Sequence, residues 1–448
     1  MKQLFGTDGI RGHAGDFPLD ARTVAVIGAS LARQFRDRLG RDPRFISGRD
    51  TRESGAAIEA AFHAGAATEN STCESVGVIT TPGVAYLTSE FNFDAGIVVS
   101  ASHNPYEDNG IKIFLPSGQK IDEATERAIE SDIYAGSGVD IEATPIEEHA
   151  ARTAELCTSY TDHIMRVADG FSADGMRIVL DCANGAAAAM APGLFARTGA
   201  DVISINVSPD GRNINKDCGS LHLEELQAKV VETGADMGVA FDGDADRALF
   251  ADEKGNVIDG DATLWILAQN LRLHGKLANS TVVATVMSNI GLELALKGKG
   301  IDLLRTNVGD KYVLEKLIET GSEIGGEQSG HIIFPEISFV GDGMMTAMLL
   351  LRSIREKETS LSQAAGGFVR FPQTLKNVKV REKRPFADVP EIMDSANQVE
   401  LELHGEGRLL LRYSGTENLA RVMIEGQDQT VIDAQANRIA DAIMASLG

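Results

Sequence analysis

Cysteine is scarce in this chain of 448 residues, which has only four of them. No two lie close enough to form a C-x-x-C pair, which argues against a zinc site, a redox motif or a disulfide framework. A chain of this length can bury several hydrophobic cores without such links. Widely spaced single cysteines are typical of a reducing compartment, and these four are Cys73, Cys157, Cys182 and Cys218.

Long apolar runs are also absent. Nowhere do 18 apolar residues follow one another, and the opening "MKQLFGTDGIRG" lacks the apolar core of a signal peptide. We therefore expect a cytoplasmic protein without a membrane span.

Positive charge is in short supply, with 42 lysines and arginines against 65 acidic residues and a net charge of −23. Such a surface repels nucleic acid and anionic membranes. A phosphorylated small substrate would meet the same repulsion. A site for one therefore needs local arginines, lysines, backbone amides or a cation.

What the chain does contain is a steady alternation of strand-like and helix-like segments, which predicts an α/β fold with largely parallel sheets. The stretch 20–39 shows the helical pattern, with Asp20 at its start and Gly40 at its end. The apolar residues predicted to share one face are Val24, Ile27, Leu31, Phe35 and Leu39.

Five short apolar strands each lead into a glycine-rich or polar loop: "AGIVVSASHNP", "RIVLDCANGAAAA", "MGVAFDGDADR", "EIGGEQSGHIIF" and "GRLLLRYSGTEN". Ligands of open α/β sheets bind outside the carboxyl ends of the strands, so several of these loops could share one cleft. Breaks in the pattern predict four domains. Three are mixed α/β domains and the last is a smaller α+β domain, over residues 1–152, 153–254, 255–368 and 369–448.

An acidic triplet in "FDGDADRALF" places Asp242, Asp244 and Asp246 at alternate positions. On a flat strand such residues lie roughly 6–7 Å apart, but the small residues between them let the loop curl. Converging carboxylates favour Mg²⁺, Mn²⁺ or Ca²⁺. A calcium-loop motif is rejected, because Arg247 occupies its glycine position and the flanks read as strands. A solvated acidic loop remains the alternative.

The segment "VVSASHNPYEDNGIK" sets Ser102 beside His103, with Lys112 ten residues after the serine. A serine hydrolase is disfavoured, because the G-x-S-x-G elbow is missing and an adjacent histidine on extended chain points to the opposite face. An ordinary turn and a phosphate-carrying serine both remain open. In the second case Lys112 could donate or accept a proton, if a cleft lowers its pKa.

Six motifs carry a family resemblance that runs from residue 4 to the end of the last domain: "FGTDGIRG", "SASHNPYEDNGIK", "DGDADR", "VGDKYV", "GGEQSGH" and "RYSGTENLARVM". In this order they closely resemble the α-D-phosphohexomutase superfamily, and within it the branch that acts on glucosamine phosphates. The resemblance implies four domains around a central cleft. In chain order these are a phosphoserine domain, a metal-binding domain, a sugar-recognition domain and a phosphate-binding C-terminal domain.

The resemblance implies that Ser102 is phosphorylated in the active protein and carries the phosphoryl group. It also implies that one Mg²⁺ is held by Asp242, Asp244 and Asp246 together with the phosphoserine at Ser102.

Charge and proton transfer are implied at five further residues. Arg11 and Arg247 would offset charge on the travelling phosphoryl group through their planar donor forks. Lys112 would be the general acid or base, assisted by His103 or His331.

Two motifs would bind the substrate. Glu327 and Ser329 of "GGEQSGH" resemble residues that meet sugar hydroxyls at C3 and C4, although the bare string also reads as a tight turn. The string "RYSGTENLAR" resembles a clamp for the distal phosphate, formed by Arg412, Ser414, Gly415, Thr416 and Arg421.

The implied reaction interconverts glucosamine 6-phosphate and glucosamine 1-phosphate through a hexosamine 1,6-bisphosphate, and it feeds UDP-N-acetylglucosamine synthesis. Hexosamine or glucose 1,6-bisphosphate would act as intermediate or activator. Relatives of this type suggest a homodimer through the first domain. The alternatives are a mutase for glucose or mannose phosphates, a phosphatase and a non-catalytic sugar-phosphate or calcium binder.

Overall fold

The computed structural model describes residues 3–136, 145–146, 149–414 and 417–448. It contains two compact units. The larger unit contains the described residues up to Met287 together with Leu303–Gly366, and the smaller one contains Ser288–Asp302 and Gly367–Gly448. Among the described residues, no helix combines the length and the apolar character that crossing a membrane requires.

The first sheet of the larger unit has six strands in the order β1-β2-β6-β5-β3-β4. Its strands are β1 (Phe5–Gly6), β2 (Gly9–His13), β3 (Arg44–Arg49), β4 (Thr72–Val78), β5 (Ala95–Val99) and β6 (Asp108–Phe114). Strands β5, β3 and β4 are parallel neighbours, and the remaining pairs are antiparallel. The accompanying helices are α1 (Ala21–Leu39), α2 (Gly55–Ala67), α3 (Thr81–Glu90) and α4 (Glu123–Tyr134).

The second sheet has five strands in the order β11-β10-β9-β7-β8. Its strands are β7 (Arg177–Asp181), β8 (Asp201–Ile205), β9 (Met237–Phe241), β10 (Ala248–Asp252) and β11 (Val257–Ile258). Strands β8, β7 and β9 run parallel, whereas β9, β10 and β11 form an antiparallel edge. The helices of this segment are α5 (Ala150–Val167), α6 (Ala191–Ala196) and α7 (Glu224–Thr233).

A third, four-stranded sheet has the order β13-β12-β14-β15. Its strands are β12 (Thr281–Thr285), β13 (Asp302–Thr306), β14 (Gly325–Gly326) and β15 (Ile332–Ile333). The helices of this segment are α8 (Gly260–Leu273), α9 (Ile290–Gly298), α10 (Asp310–Thr320), α11 (Gly343–Glu356) and α12 (Leu361–Ala364). Of these, α9 belongs to the smaller compact unit.

The smaller unit is built on a three-stranded antiparallel sheet in the order β16-β18-β17. Its strands are β16 (Gln373–Lys379), β17 (Arg408–Tyr413) and β18 (Leu419–Glu425), and its helices besides α9 are α13 (Pro390–Leu403) and α14 (Gln429–Leu447). The predicted fold class, with mixed α/β sheets followed by an α+β C-terminal segment, is therefore confirmed. The sheets are more mixed than the predicted largely parallel arrangement.

Helix α1 forms where the sequence predicts it. The side chain of Asp20 accepts a hydrogen bond from the N–H of Thr23, and Gly40 ends the helix in a left-handed conformation with φ 66°. The predicted apolar face is buried except at its last residue, Leu39, which is 42% exposed because the helix ends there.

Two glycines let helices α1 and α2 approach closely. A Cβ atom added to Gly65 would lie 1.9 Å from the carbonyl oxygen of Ala25, and one added to Gly28 would lie 2.2 Å from that of Phe62. The two backbones are therefore in contact where the helices cross. This contact stabilises the packing of both helices against the first sheet.

We predict that Gly65→Ala destabilises the protein by about 1–3 kcal/mol, because an inserted methyl group forces the two backbones apart. The matched control is Gly193→Ala in helix α6, where an added Cβ meets nothing within 4 Å. This control should be neutral or slightly stabilising, since alanine is the better helix former. Denaturant unfolding of both variants measures the difference, and equal stability would contradict the close contact.

Candidate active site

The serine loop connects strands β5 and β6, and Ser102 is fully buried within it. Its φ is +53°, a left-handed conformation that is uncommon for residues other than glycine. The N–H of Ser102 donates to Oγ of Ser100 at 2.9 Å. The hydroxyl of Ser102 donates to Oδ2 of Asp242 at 2.6 Å, so the serine and the acidic triplet meet.

The acidic triplet lies in the tight connection between the antiparallel strands β9 and β10. The sequence predicts both of these strands. Ala245 has φ +54°, and its N–H donates to the carbonyl oxygen of Asp242 at 3.1 Å. This turn curls the loop as expected. Asp242, Asp244 and Asp246 are buried, and one oxygen from each lies within 4.8 Å of the others.

This cluster fits a hard divalent cation. Burial, followed by repulsion from Asp246 and Asp244, raises the pKa of Asp242 well above its usual value. Among the described residues, Oδ1 of Asp244 and Oδ1 of Asp246 have no hydrogen-bond partner. Buried carboxylate oxygens without a donor are the ligands that Mg²⁺ binds.

Lys112 on strand β6 provides positive charge at the triplet. Its Nζ lies 2.8 Å from Oδ2 of Asp244, 3.1 Å from Oδ2 of Asp246 and 3.0 Å from Oδ2 of Asp8. Burial alone lowers the pKa of Lys112, but these carboxylates outweigh it and raise the pKa well above its usual value. These carboxylates therefore oppose the lowered pKa that proton exchange by Lys112 would require.

His103 lies closer to the serine than the sequence suggests. Its Nδ1 is 3.2 Å from Oγ of Ser102. The expectation that it points away is wrong, because Ser102 is left-handed rather than extended. Burial, with Arg247 and Arg11 adding to it, lowers the pKa of His103 to about 4.

His331 is buried near Asp246 of the triplet. Its Nδ1 lies 3.7 Å from Oδ2 of Asp246. The N–H of Gly341 donates to its Nε2 at 3.2 Å, which fixes the orientation of the ring. The structure thus brings His103 to Ser102 and His331 to Asp246.

The two predicted arginines line a cavity of about 440 Å³ together with Glu327 and His331, a volume suited to a small ligand. The guanidinium group of Arg11 donates to Asp8. Nε of Arg247 lies 3.8 Å from Oδ1 of Asp246. Among the described residues, Nε of each arginine has no hydrogen-bond partner, so donors remain for an anion in the cavity.

The predicted sugar loop joins strands β14 and β15. Oε1 of Glu327 accepts a hydrogen bond from the N–H of Gly309 at 3.1 Å. Oγ of Ser329 is buried, and it finds no hydrogen-bond partner in the described part of the chain. Gly330 has φ +89°, and a Cβ there would lie 2.2 Å from the carbonyl oxygen of Ala248, so the loop packs directly on strand β10.

The predicted phosphate clamp belongs to the smaller compact unit. Arg412 on strand β17 lies directly opposite Arg421 on strand β18. Burial and the neighbouring Arg421 lower the pKa of Arg412. Facing like charges are destabilising unless an anion joins them. Ser414 is buried, and Gly415 and Thr416 lie outside the described residues.

No role is predicted for Asp8 from the sequence, although it lies in the motif "FGTDGIRG". Oδ2 of Asp8 lies 3.0 Å from Nζ of Lys112 and Oδ1 lies 2.7 Å from Nζ of Lys120, while Arg11 donates to the same carboxylate. These cations lower the pKa of Asp8 well below its usual value, although burial acts in the opposite direction. Through Lys112, Asp8 therefore connects the first motif of the chain to the acidic triplet.

Four family models match the chain in sequence order. They are the α/β/α domains I, II and III of phosphoglucomutase/phosphomannomutase, over residues 2–138, 158–255 and 259–371, and the C-terminal domain over residues 375–442. The chain belongs to the α-D-phosphohexomutase superfamily. Its four sheets thus correspond to the domain plan of that superfamily.

Individual phosphohexomutases match along the whole chain. The phosphoglucosamine mutase of Solibacter usitatus is 45% identical over 449 residues, which cover 100% of this chain and 99% of the relative. That of Deinococcus deserti is 47% identical over 444 residues, covering 99% and 98%.

Solved phosphohexomutase structures share the fold. A phosphoglucomutase/phosphomannomutase family protein of Burkholderia thailandensis superposes with a TM-score of 0.80 at 23% identity, covering 100% of this chain and 98% of the other. The N-acetylphosphoglucosamine mutase of Aspergillus fumigatus, solved with GlcNAc-6P and magnesium, gives 0.69 at 18% identity, covering 99% and 96%.

We predict that Asp246→Asn weakens Mg²⁺ or Mn²⁺ binding by at least about tenfold, because even outer partners of a metal site contribute that much. The matched control is Asp252→Asn at the far end of strand β10. Asp252 is also buried, but its carboxylate accepts bonds from the turn at Lys254 and Asn256. Isothermal titration with each cation measures the affinities. An equal loss in both variants, or none in either, would contradict a metal site at the triplet.

Proposed function

We propose that the chain is a phosphoglucosamine mutase, an isomerase that interconverts glucosamine 6-phosphate and glucosamine 1-phosphate. One observation carries the proposal: Oγ of Ser102 lies 2.6 Å from Asp242, within a buried cluster of three carboxylates. Two full-length relatives at 45% and 47% identity, both phosphoglucosamine mutases, support the substrate.

The proposed reaction is a phosphoryl shuttle. The phosphorus of phospho-Ser102 bonds to the free hydroxyl oxygen of the substrate, the bond from Oγ to phosphorus breaks, and the hydroxyl proton passes to a base. The resulting 1,6-bisphosphate turns over and returns its other phosphoryl group to Oγ of Ser102. The second transfer reverses the first, so the protein regains its phosphoserine and the sugar leaves as the isomer.

Asp242, Asp244 and Asp246, with an oxygen of the phosphoserine, would hold one Mg²⁺. When bound, the ion neutralises charge on the transferring phosphoryl group. Arg11 and Arg247 add fixed positive charge beside it, since both line the cavity next to the triplet.

We assign the movement of the proton to one of three groups. Nδ1 of His103 is 3.2 Å from Oγ of Ser102, Nζ of Lys112 touches Asp244 and Asp246, and His331 faces Asp246. Because phosphoryl transfer depends mainly on positioning and charge, these groups also fix the geometry of the carboxylates.

The sugar and its second phosphate need separate contacts. We assign the hydroxyls to Glu327 and Ser329, whose buried Oγ has no hydrogen-bond partner in the described part of the chain. The second phosphate goes to a clamp of opposed arginines and small polar residues, namely Arg412, Ser414, Gly415, Thr416 and Arg421.

A mutase assay on glucosamine, glucose and mannose phosphates tests this function, with Mg²⁺ and the matching 1,6-bisphosphate present. We predict a strong preference for glucosamine phosphate and a loss of more than about a thousandfold in kcat for Ser102→Ala, because removing a nucleophile abolishes covalent catalysis. Ser117→Ala is the control, since this serine is exposed in the same domain.

Each alternative has its own outcome in that assay. Better turnover of glucose or mannose phosphate would keep the shuttle and overturn the substrate. Free phosphate without any isomer would indicate a phosphatase. Full activity of Ser102→Ala would remove the serine from the mechanism.

A further inference from the structure

Arg52 contacts the serine loop, and its side chain is fully buried. Its Nε donates to Oδ2 of Asp50 at 2.9 Å. Its two terminal nitrogens donate to main-chain carbonyls of the loop between strands β5 and β6 and of the first residue of β6. Their acceptors are the carbonyl oxygens of Ser102 at 2.9 Å, Asn104 at 2.8 Å and Asp108 at 3.0 Å, and that of Pro105.

Asn215 reaches the same carbonyls from the segment that follows strand β8. Its Nδ2 donates to the carbonyl oxygens of Ser102 at 2.9 Å and Asn104 at 3.1 Å. Its own N–H donates to the carbonyl oxygen of Ala183 at 2.9 Å. Two side chains distant in sequence therefore hold the same two peptide groups of the serine loop.

The peptide groups on both sides of Ser102 are held. On the N-terminal side, Oγ of Ser100 accepts the N–H of Ser102 and donates to Oδ2 of Asp50 at 2.6 Å. On the C-terminal side, Arg52 and Asn215 hold the carbonyl oxygen. Since Asp50 also pairs with Arg52, one carboxylate organises both sides of a residue whose φ is +53°.

We propose that Arg52 and Asn215 are positioning residues for phosphoryl transfer: they hold the carbonyls of Ser102 and Asn104 and so keep the phosphoserine aimed at the triplet. The inference rests on the proposed function of Ser102. Arg52 acts through the loop rather than on the substrate, because its side chain is fully buried and its donors are bonded to Asp50 and to loop carbonyls.

The guanidinium shape is essential to this role. A planar fork can hold several carbonyls in fixed directions, whereas a lysine ammonium is a point charge on a flexible stem. Arg52→Lys therefore retains the charge opposite Asp50 and loses the fixed geometry of the loop. Asn215→Gly removes the second donor without straining the backbone, because Asn215 has φ +57°.

The test measures kcat and KM for glucosamine 6-phosphate, the phosphate content of Ser102 by intact mass, and stability. We expect Arg52→Lys to lower kcat by about a hundredfold, since misplacing a reacting group by one ångström can have that effect. KM should stay nearly unchanged, because the substrate contacts remain. Asn215→Gly should lower kcat in the same direction by a smaller factor.

Two controls separate positioning from stability. Arg177→Lys alters a guanidinium that also bridges a carboxylate, Asp201, and a carbonyl, that of Thr233, at the start of strand β7. Gly65→Ala is destabilised without touching the serine loop. Both should keep the wild-type kcat.

The proposal is overturned if Arg52→Lys keeps kcat within about twofold of the wild type, or if Gly65→Ala lowers kcat equally. If Arg52→Lys does not fold, Asn215→Gly decides, and an unchanged kcat overturns the proposal. Failure of the proposed function looks different, because the wild type itself would then lack mutase activity or phospho-Ser102.

Discussion

Mutual repulsion among three buried carboxylates is the constraint on which the rest of the site depends. Asp242, Asp244 and Asp246 share a volume only a few ångströms across, and water cannot screen them there. The protein balances them with the hydroxyl of Ser102 on Asp242 and the ammonium of Lys112 on Asp244 and Asp246. A divalent cation would add positive charge to this cluster, and a phosphoryl group would add negative charge.

This balance also explains how a chain with a net charge of −23 can bind a phosphosugar. Positive charge is concentrated locally, with Arg11 and Arg247 in the cavity beside the triplet and with Arg412 opposite Arg421 in the smaller unit. Local placement of positive charge, rather than the net charge, therefore decides whether an anion can bind.

The sequence predicts the features that depend on residues close together along the chain. Helix α1 lies between its predicted caps, and the acidic triplet curls between the predicted strands. Several long-range contacts escaped prediction. The raised pKa of Lys112 comes from Asp8 and from aspartates more than 130 positions away. The position of His103 depends on one left-handed residue. Arg52 bonds to a loop some 50 positions further on, which no local pattern indicates.

Everything proposed for this site requires that Ser102 carry the travelling phosphoryl group. A single-turnover experiment tests it most directly: protein labelled with radioactive phosphate on Ser102 is mixed with unlabelled glucosamine 6-phosphate. We expect the label to leave the protein and to appear first in the 1,6-bisphosphate and then in the sugar monophosphate. Isomerisation with the label still on the protein, or label released only as inorganic phosphate, would contradict it.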